Sequence, residues 1–213
     1  MVLPIYGLET LFVSLGSQCD TAVMLRENHL RFAAFPFDWI LTRDHEGFLL
    51  ILDTDFCFFV DESSLYRIPD YPQILDNAIY KIQFRHDWPF EDMSVNESRY
   101  QQQIAHMKDK YERRIARFRD LRNFEGKVFF IRTAGVESID EKKAKQILSS
   151  LTSYFPLLDF TLVIVNYREE HIPQFDDEEI LEFKIGKSHQ NEDYSDLLGR
   201  ICEIDNFNKS LNF

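Results

Sequence analysis

A chain of 213 residues with 45% hydrophobic side chains can bury the core of one ample domain, and 20 Phe with 9 Tyr make that core unusually aromatic. A net charge of -12 excludes general binding to nucleic acid or to an anionic membrane surface, because the long-range field repels phosphate. No apolar run reaches the roughly 18 residues of a spanning helix, no basic-then-apolar leader is visible, and Cys19, Cys57 and Cys202 lack CxxC spacing.

The expectation is therefore a cytoplasmic protein with no membrane span, no disulfide frame and no structural zinc, although export by a leaderless route would leave the same pattern. Leu11-Phe12-Val13 is short and apolar enough for a buried strand, and Ala22, Val23, Leu25 and Leu30 begin a helical pattern. Cys19 falls at the turn between them. Gly16 permits a tight turn there, Ser17 or Asp20 can cap the helix, and the free N–H groups of a first turn favour a thiolate or an oxyanion. Next comes Arg31 to Ile40, an aromatic run that Pro36 keeps from being helical and in which Asp38 is the odd carboxylate, either solvated or buried against a partner.

Phe48, Leu49, Ile51 and Leu52 predict a short helix capped by Thr42 or Asp44. Phe56 to Val60 reads as a strand or the end of that helix, and 61–75 as a loop excursion rich in Asp, Ser and Pro. Ala78 to Phe84 alternates as a strand does, delivering Arg85, His86 and Asp87 at its end, where a side chain can project from a rigid frame. Glu97 to Arg122 is the clearest helix: Tyr100, Ile104, Met107, Tyr111, Ile115, Phe118 and Leu121 form one apolar stripe, with Ser94 or Asn96 as cap. Its cations, Lys108, Lys110, Arg113, Arg114, Arg117, Arg119 and Arg122, read as a solvated face tied by local pairs, the alternative being a partner-binding face.

Lys127 to Arg132, Asp140 to Tyr154 and Phe160 to Val165 then make a strand-helix-strand unit. Its continuously apolar strands imply a parallel sheet with a right-handed crossover. Ile180 to Ile185 adds a strand and Tyr194 to Ile204 a last helix, while Asp176-Asp177-Glu178-Glu179 lacks the ligand spacing of a calcium loop. No repeat or linker interrupts the chain, so residues 1–213 read as a single three-layer α/β domain, a mostly parallel sheet flanked by helices.

The chemistry narrows by subtraction. GxGxxG, Walker, HExxH and GxSxG motifs are absent, so no cofactor or metal is expected, and a thiol at a helix start with a histidine at a strand end remains. Cys19 and His86 suit the nucleophile and base of a thiol hydrolase. The orienter is Asp38, Asp87 or Asp92; Asp87 adjoins His86, but neighbours on a strand face opposite ways, so Asp38 stands equally. Ser14 and Ser17 stay open as alternative nucleophiles.

Ser14 to Ala22, Arg31 with Phe35 to Ile40, Phe84 to Trp88, and the Arg-rich helix leading into Val128 to Thr133 together resemble a bacterial family of uncharacterised domains known as putative papain-like cysteine peptidases, over about residues 10–170. The resemblance implies that Cys19 and His86 are the catalytic pair and that Asp38 and Asp87 lie in shared motifs; Ser14, Gly16, Ser17, Gln18, Trp39 and Arg85 are the binding residues expected around them. Two features depart from papain: its oxyanion glutamine lies several residues before the cysteine whereas Gln18 is adjacent, and a parallel strand-helix-strand unit differs from its antiparallel barrel. A hydrolase-like or flavodoxin-like sheet with the motif at its carboxyl edge fits better. The expected substrate is a small molecule, glycan or peptide. A non-thiol enzyme acting on an ester or glycan, and a binding module using the basic face around 108–122, are the alternatives.

Overall fold

The computed structural model describes residues 9–87, 97–135, 138–167, 172–177, 179–186, 196–201 and 203. Trp88, Asp92, the caps Ser94 and Asn96, Glu178, Cys202 and both ends of the last expected helix lie outside them. In chain order the elements are β1 Thr10–Ser14, α1 Asp20–Glu27, β2 Leu41–Thr42, α2 His45–Asp53, β3 Leu65–Ile68, β4 Tyr71–Asn77, β5 Ile82–Phe84, α3 Glu97–Asp120, β6 Lys127–Thr133, α4 Glu141–Tyr154, β7 Phe160–Tyr167 and β8 Ile180–Ile185. Residues 196–201 are also helical.

The fold is α/β, built on a parallel four-stranded sheet of order β1-β6-β7-β8. Val13 pairs with Phe130, and Phe130 with Leu162, so strands that are apolar throughout sit side by side and hide both faces. Asp140 caps α4 by accepting from the Lys143 N–H at 2.8 Å, and α4 turns Ala144, Ile147 and Leu151 inward. Asp44 does the same for α2 through Gly47 N–H at 2.6 Å.

A second sheet, antiparallel and of order β2-β5-β4-β3, occupies part of the stretch where the sequence suggested a loop. Its strands escape the alternation rule because buried polar groups stand where apolar ones would. Asn77 is fully buried, donates to Ser64 Oγ at 2.8 Å and to the Phe58 carbonyl at 2.6 Å, and accepts from Tyr80 N–H. Asp76 is held by Arg43 and the Tyr66 hydroxyl. The stretch from Phe56 to Val60 is a turn rather than a strand.

Aromatic side chains join the two sheets. Phe118 of α3 lies within 6.0 Å, ring centre to ring centre, of Phe37, Phe56, Phe130, Tyr154 and Phe155, all in tilted or edge-on arrangements. Phe59 bridges Phe37 to Phe84 and Tyr111. Phe37 is thus a core residue of both halves, and this fixes its neighbours Asp38 and Trp39.

Candidate functional site

β1 ends at the carboxyl edge of the parallel sheet, and its continuation is held by backbone bonds: Leu15 N–H donates to Ile131 at 2.8 Å, and the Leu15 carbonyl accepts from the buried Arg132 at 2.9 Å. The chain then turns through two left-handed residues, Gly16 at φ +72° and Ser17 at φ +81°. A Cβ on Gly16 would stand 2.8 Å from the Phe37 carbonyl oxygen, so only glycine fits. Ser17 holds a conformation that costs a non-glycine residue about 1–3 kcal/mol. Its carbonyl accepts from Thr42 N–H at 3.0 Å, which ties the turn to the second sheet. A Cβ on Gly135 would collide with Ser17 Oγ, so that hydroxyl is packed against the end of β6 and does not cap the helix. Ser14, also buried, accepts from Gly16 N–H at 3.1 Å.

Cys19, not Ser17 or Asp20, is the N-cap of α1, and its side chain makes no capping bond. Its sulfur lies 3.9 Å from Asp20 Oδ1. Burial, then the Asp20 charge, pushes the thiol above its ordinary value, against the opposing pull of its own backbone N–H and of Arg85. The depressed pKa expected from a helix terminus is therefore not realised, because burial first, and the acid in the first turn second, favour the neutral thiol. A thiol so placed gains reactivity from a base beside it.

The opposite wall comes from the second sheet. β5 delivers Arg85 and His86, both exposed, at its end, and Trp39 follows the core residue Phe37. Gln18, Cys19, Trp39, Ile40, Leu41, Arg85 and His86 line one pocket of about 70 Å³. The His86 ring meets Trp39 edge-on at 5.6 Å and has no hydrogen-bond partner among the described residues. The thiol and the imidazole thus reach one pocket from two different sheets.

The carboxylates proposed as orienters are committed elsewhere. Asp38, only 2% exposed, takes both Arg31 Nε at 3.0 Å and Arg31 Nη2 at 2.7 Å, together with Phe35 N–H. Burial raises its pKa more than Arg31 lowers it. Asp87 is buried facing α3, where it accepts from Lys110 and from the Tyr111 hydroxyl at 2.6 Å, while its carbonyl takes Gln103. Both acids brace the segments that carry Trp39 and His86.

Most of the cations of α3 are tied to neighbouring segments, although Arg113, Arg119 and Arg122 remain exposed. Besides Lys110, Arg117 donates to the Ala34 carbonyl, Arg119 to Asp55, Arg122 to the Tyr154 carbonyl, and Arg114 is buried beside the Tyr111 ring. Position gave one signal for this: Arg114 lies three and four residues from Tyr111 and Phe118, on the apolar stripe itself. Arg26 and Arg31, which both stand 5.6 Å from the Trp39 ring centre, had no sequence signal as a pair. No cluster of potential metal ligands occurs among the described residues, and none of their helices is long and apolar enough to cross a membrane.

Comparison with other proteins adds a family. Residues 10–170 match the family described as "Putative papain-like cysteine peptidase (DUF1796)". An uncharacterized protein, R408 of Acanthamoeba polyphaga mimivirus, is 30% identical over 181 residues, which cover 74% of this chain and 78% of the viral one. No solved structure matches.

Proposed function

The chain belongs to this family of putative papain-like cysteine peptidases, and from that premise we propose that it is a cysteine-dependent hydrolase with Cys19 as nucleophile and His86 as base. The observation that carries the reading is the pocket that Cys19 and His86 line together from separate sheets. Because burial and Asp20 keep the thiol protonated, the pair works as general base and nucleophile rather than as a standing ion pair.

In the reaction, Cys19 Sγ bonds to the acyl carbon while its proton passes to a His86 ring nitrogen. The tetrahedral adduct expels the leaving group, which takes that proton, and a thioester remains. Water then gives a proton to His86 and adds to the thioester, and the departing sulfur recovers the proton. Gln18 and the backbone N–H groups at the start of α1 are the proposed oxyanion donors. Asp87 acts as a positioning residue: it ties the His86 segment to α3 without touching substrate. Asp38 does the same for Trp39 through Arg31.

The test is acyl transfer from p-nitrophenyl acetate, followed by peptide mass mapping. The expected result is an acetyl group on Cys19, abolished by Cys19→Ala and slowed by His86→Ala. Nitrophenol release that persists in Cys19→Ala and disappears in Ser17→Ala would reject the thiol reading in favour of a hydroxyl nucleophile.

A further inference from the structure

We infer that the substrate carries a carboxylate next to the acyl group under attack, held by Arg85 with Arg26 behind the Trp39 wall; this rests on the Cys19 and His86 reading above. The molecule is acidic overall, with a net charge of -12, yet no carboxylate lines this pocket among the described residues, and an arginine does. Arg85 lines it directly. Its Nε donates to Gln83 Oε1 at 3.0 Å, which fixes the stem and leaves the terminal N–H groups of the fork without a carboxylate among the described residues. Arg26 is exposed, stands over Trp39, and likewise meets no carboxylate among them.

The nearby acids do not cancel this charge. Asp38 is spent on Arg31, and Asp87 is spent on Lys110 and Tyr111. Asp20 lies against the sulfur and repels a negative charge there, so attraction must come from the Arg85 side. One pocket thus offers a thiol for an acyl carbon and a guanidinium fork for an anion. A planar carboxylate matches one guanidinium with two parallel N–H···O bonds. The small volume, about 70 Å³, suits a compact acid group rather than a bulky one.

Alkylation by a matched pair of reagents tests this without knowledge of the substrate. Iodoacetamide is neutral and iodoacetate carries the carboxylate, so the quotient of their rate constants at Cys19 cancels the nucleophilicity of the sulfur. The reference is the same quotient for N-acetylcysteine amide in the same buffer. The expected Cys19 quotient exceeds the reference at least about tenfold, falls as salt is added, and collapses in Arg85→Gln, with a smaller loss in Arg26→Gln. A quotient at or below the reference overturns the inference, since a chain of net negative charge repels iodoacetate unless a local cation intervenes. Slow labelling by both reagents with the quotient intact would instead remove the nucleophile reading and leave the anion preference supported.

Discussion

Replacing Asp87 by Asn probes the link between α3 and the segment that presents His86. The buried carboxylate serves two donors, Lys110 and the Tyr111 hydroxyl, one on each oxygen. An amide of the same shape keeps an oxygen for Lys110 but turns its NH₂ toward Tyr111, whose hydroxyl must rotate to accept, so the Lys110 pair loses its charge and the buried hydroxyl hydrogen loses its acceptor. Removing one partner of a fully buried pair costs about 3–5 kcal/mol. Lys110 is 22% exposed and can swing into water, which brings the expectation nearer the 1–3 kcal/mol of a lost buried hydrogen bond, about 2 kcal/mol. With a urea slope of about 2–3 kcal/mol/M, the midpoint of unfolding falls by about 0.7–1 M. The site should register the change as well. The part of Cys19 alkylation that depends on His86 should shrink, because the anchor of the His86 segment is gone. A midpoint within about 0.2 M of wild type would refute the energetic argument. A shifted midpoint with unaltered His86 dependence would refute the claim that Asp87 positions the imidazole.

Gly16→Ala should destabilise by about 2–5 kcal/mol, the sum of a left-handed alanine and a Cβ against the Phe37 carbonyl, read from the urea midpoint; a loss under about 1 kcal/mol would mean the turn relaxes freely. Asp20→Asn removes an acid that raises the thiol, so iodoacetamide labelling of Cys19 at neutral pH should quicken several-fold, and an unchanged or slower rate would contradict that electrostatic reading. For Asp38 the sign is set by burial, which makes the folded chain hold the proton more tightly than the unfolded chain. Its contribution to stability is full below the unfolded carboxyl value of about 3.9 and is lost as pH rises through the raised folded value. Urea midpoints of wild type and Asp38→Asn should therefore diverge across the weakly acidic range, to the disadvantage of wild type as pH rises, whereas a constant difference would refute the argument.

Which parts of this molecule were legible in its sequence follows from where the apolar groups sit. β6, β7 and β8 are apolar enough to announce themselves, and α3 and α4 carry regular stripes. The antiparallel sheet is the opposite case. Its interior holds Asp76 and Asn77, tied to Arg43, to Ser64 and to the Phe58 carbonyl, partners well separated in sequence, so no local pattern marks the strands from Leu65 to Asn77. At the site, position alone singled out Cys19 and His86, since a residue at a strand end or helix start projects from a rigid frame. Their braces were hidden for the same reason as the second sheet. Nothing in the spacing shows that Lys110 reaches Asp87.

The account turns on Cys19 and His86 acting as one chemical unit across two sheets. The most direct measurement is the iodoacetamide rate at Cys19 against pH, in wild type and in His86→Ala, with Cys57 followed in the same digest. The account predicts that the Cys19 rate falls in His86→Ala and that the shape of its pH profile changes, while exposed Cys57 reacts alike in both proteins. Identical Cys19 profiles in the two proteins would contradict it.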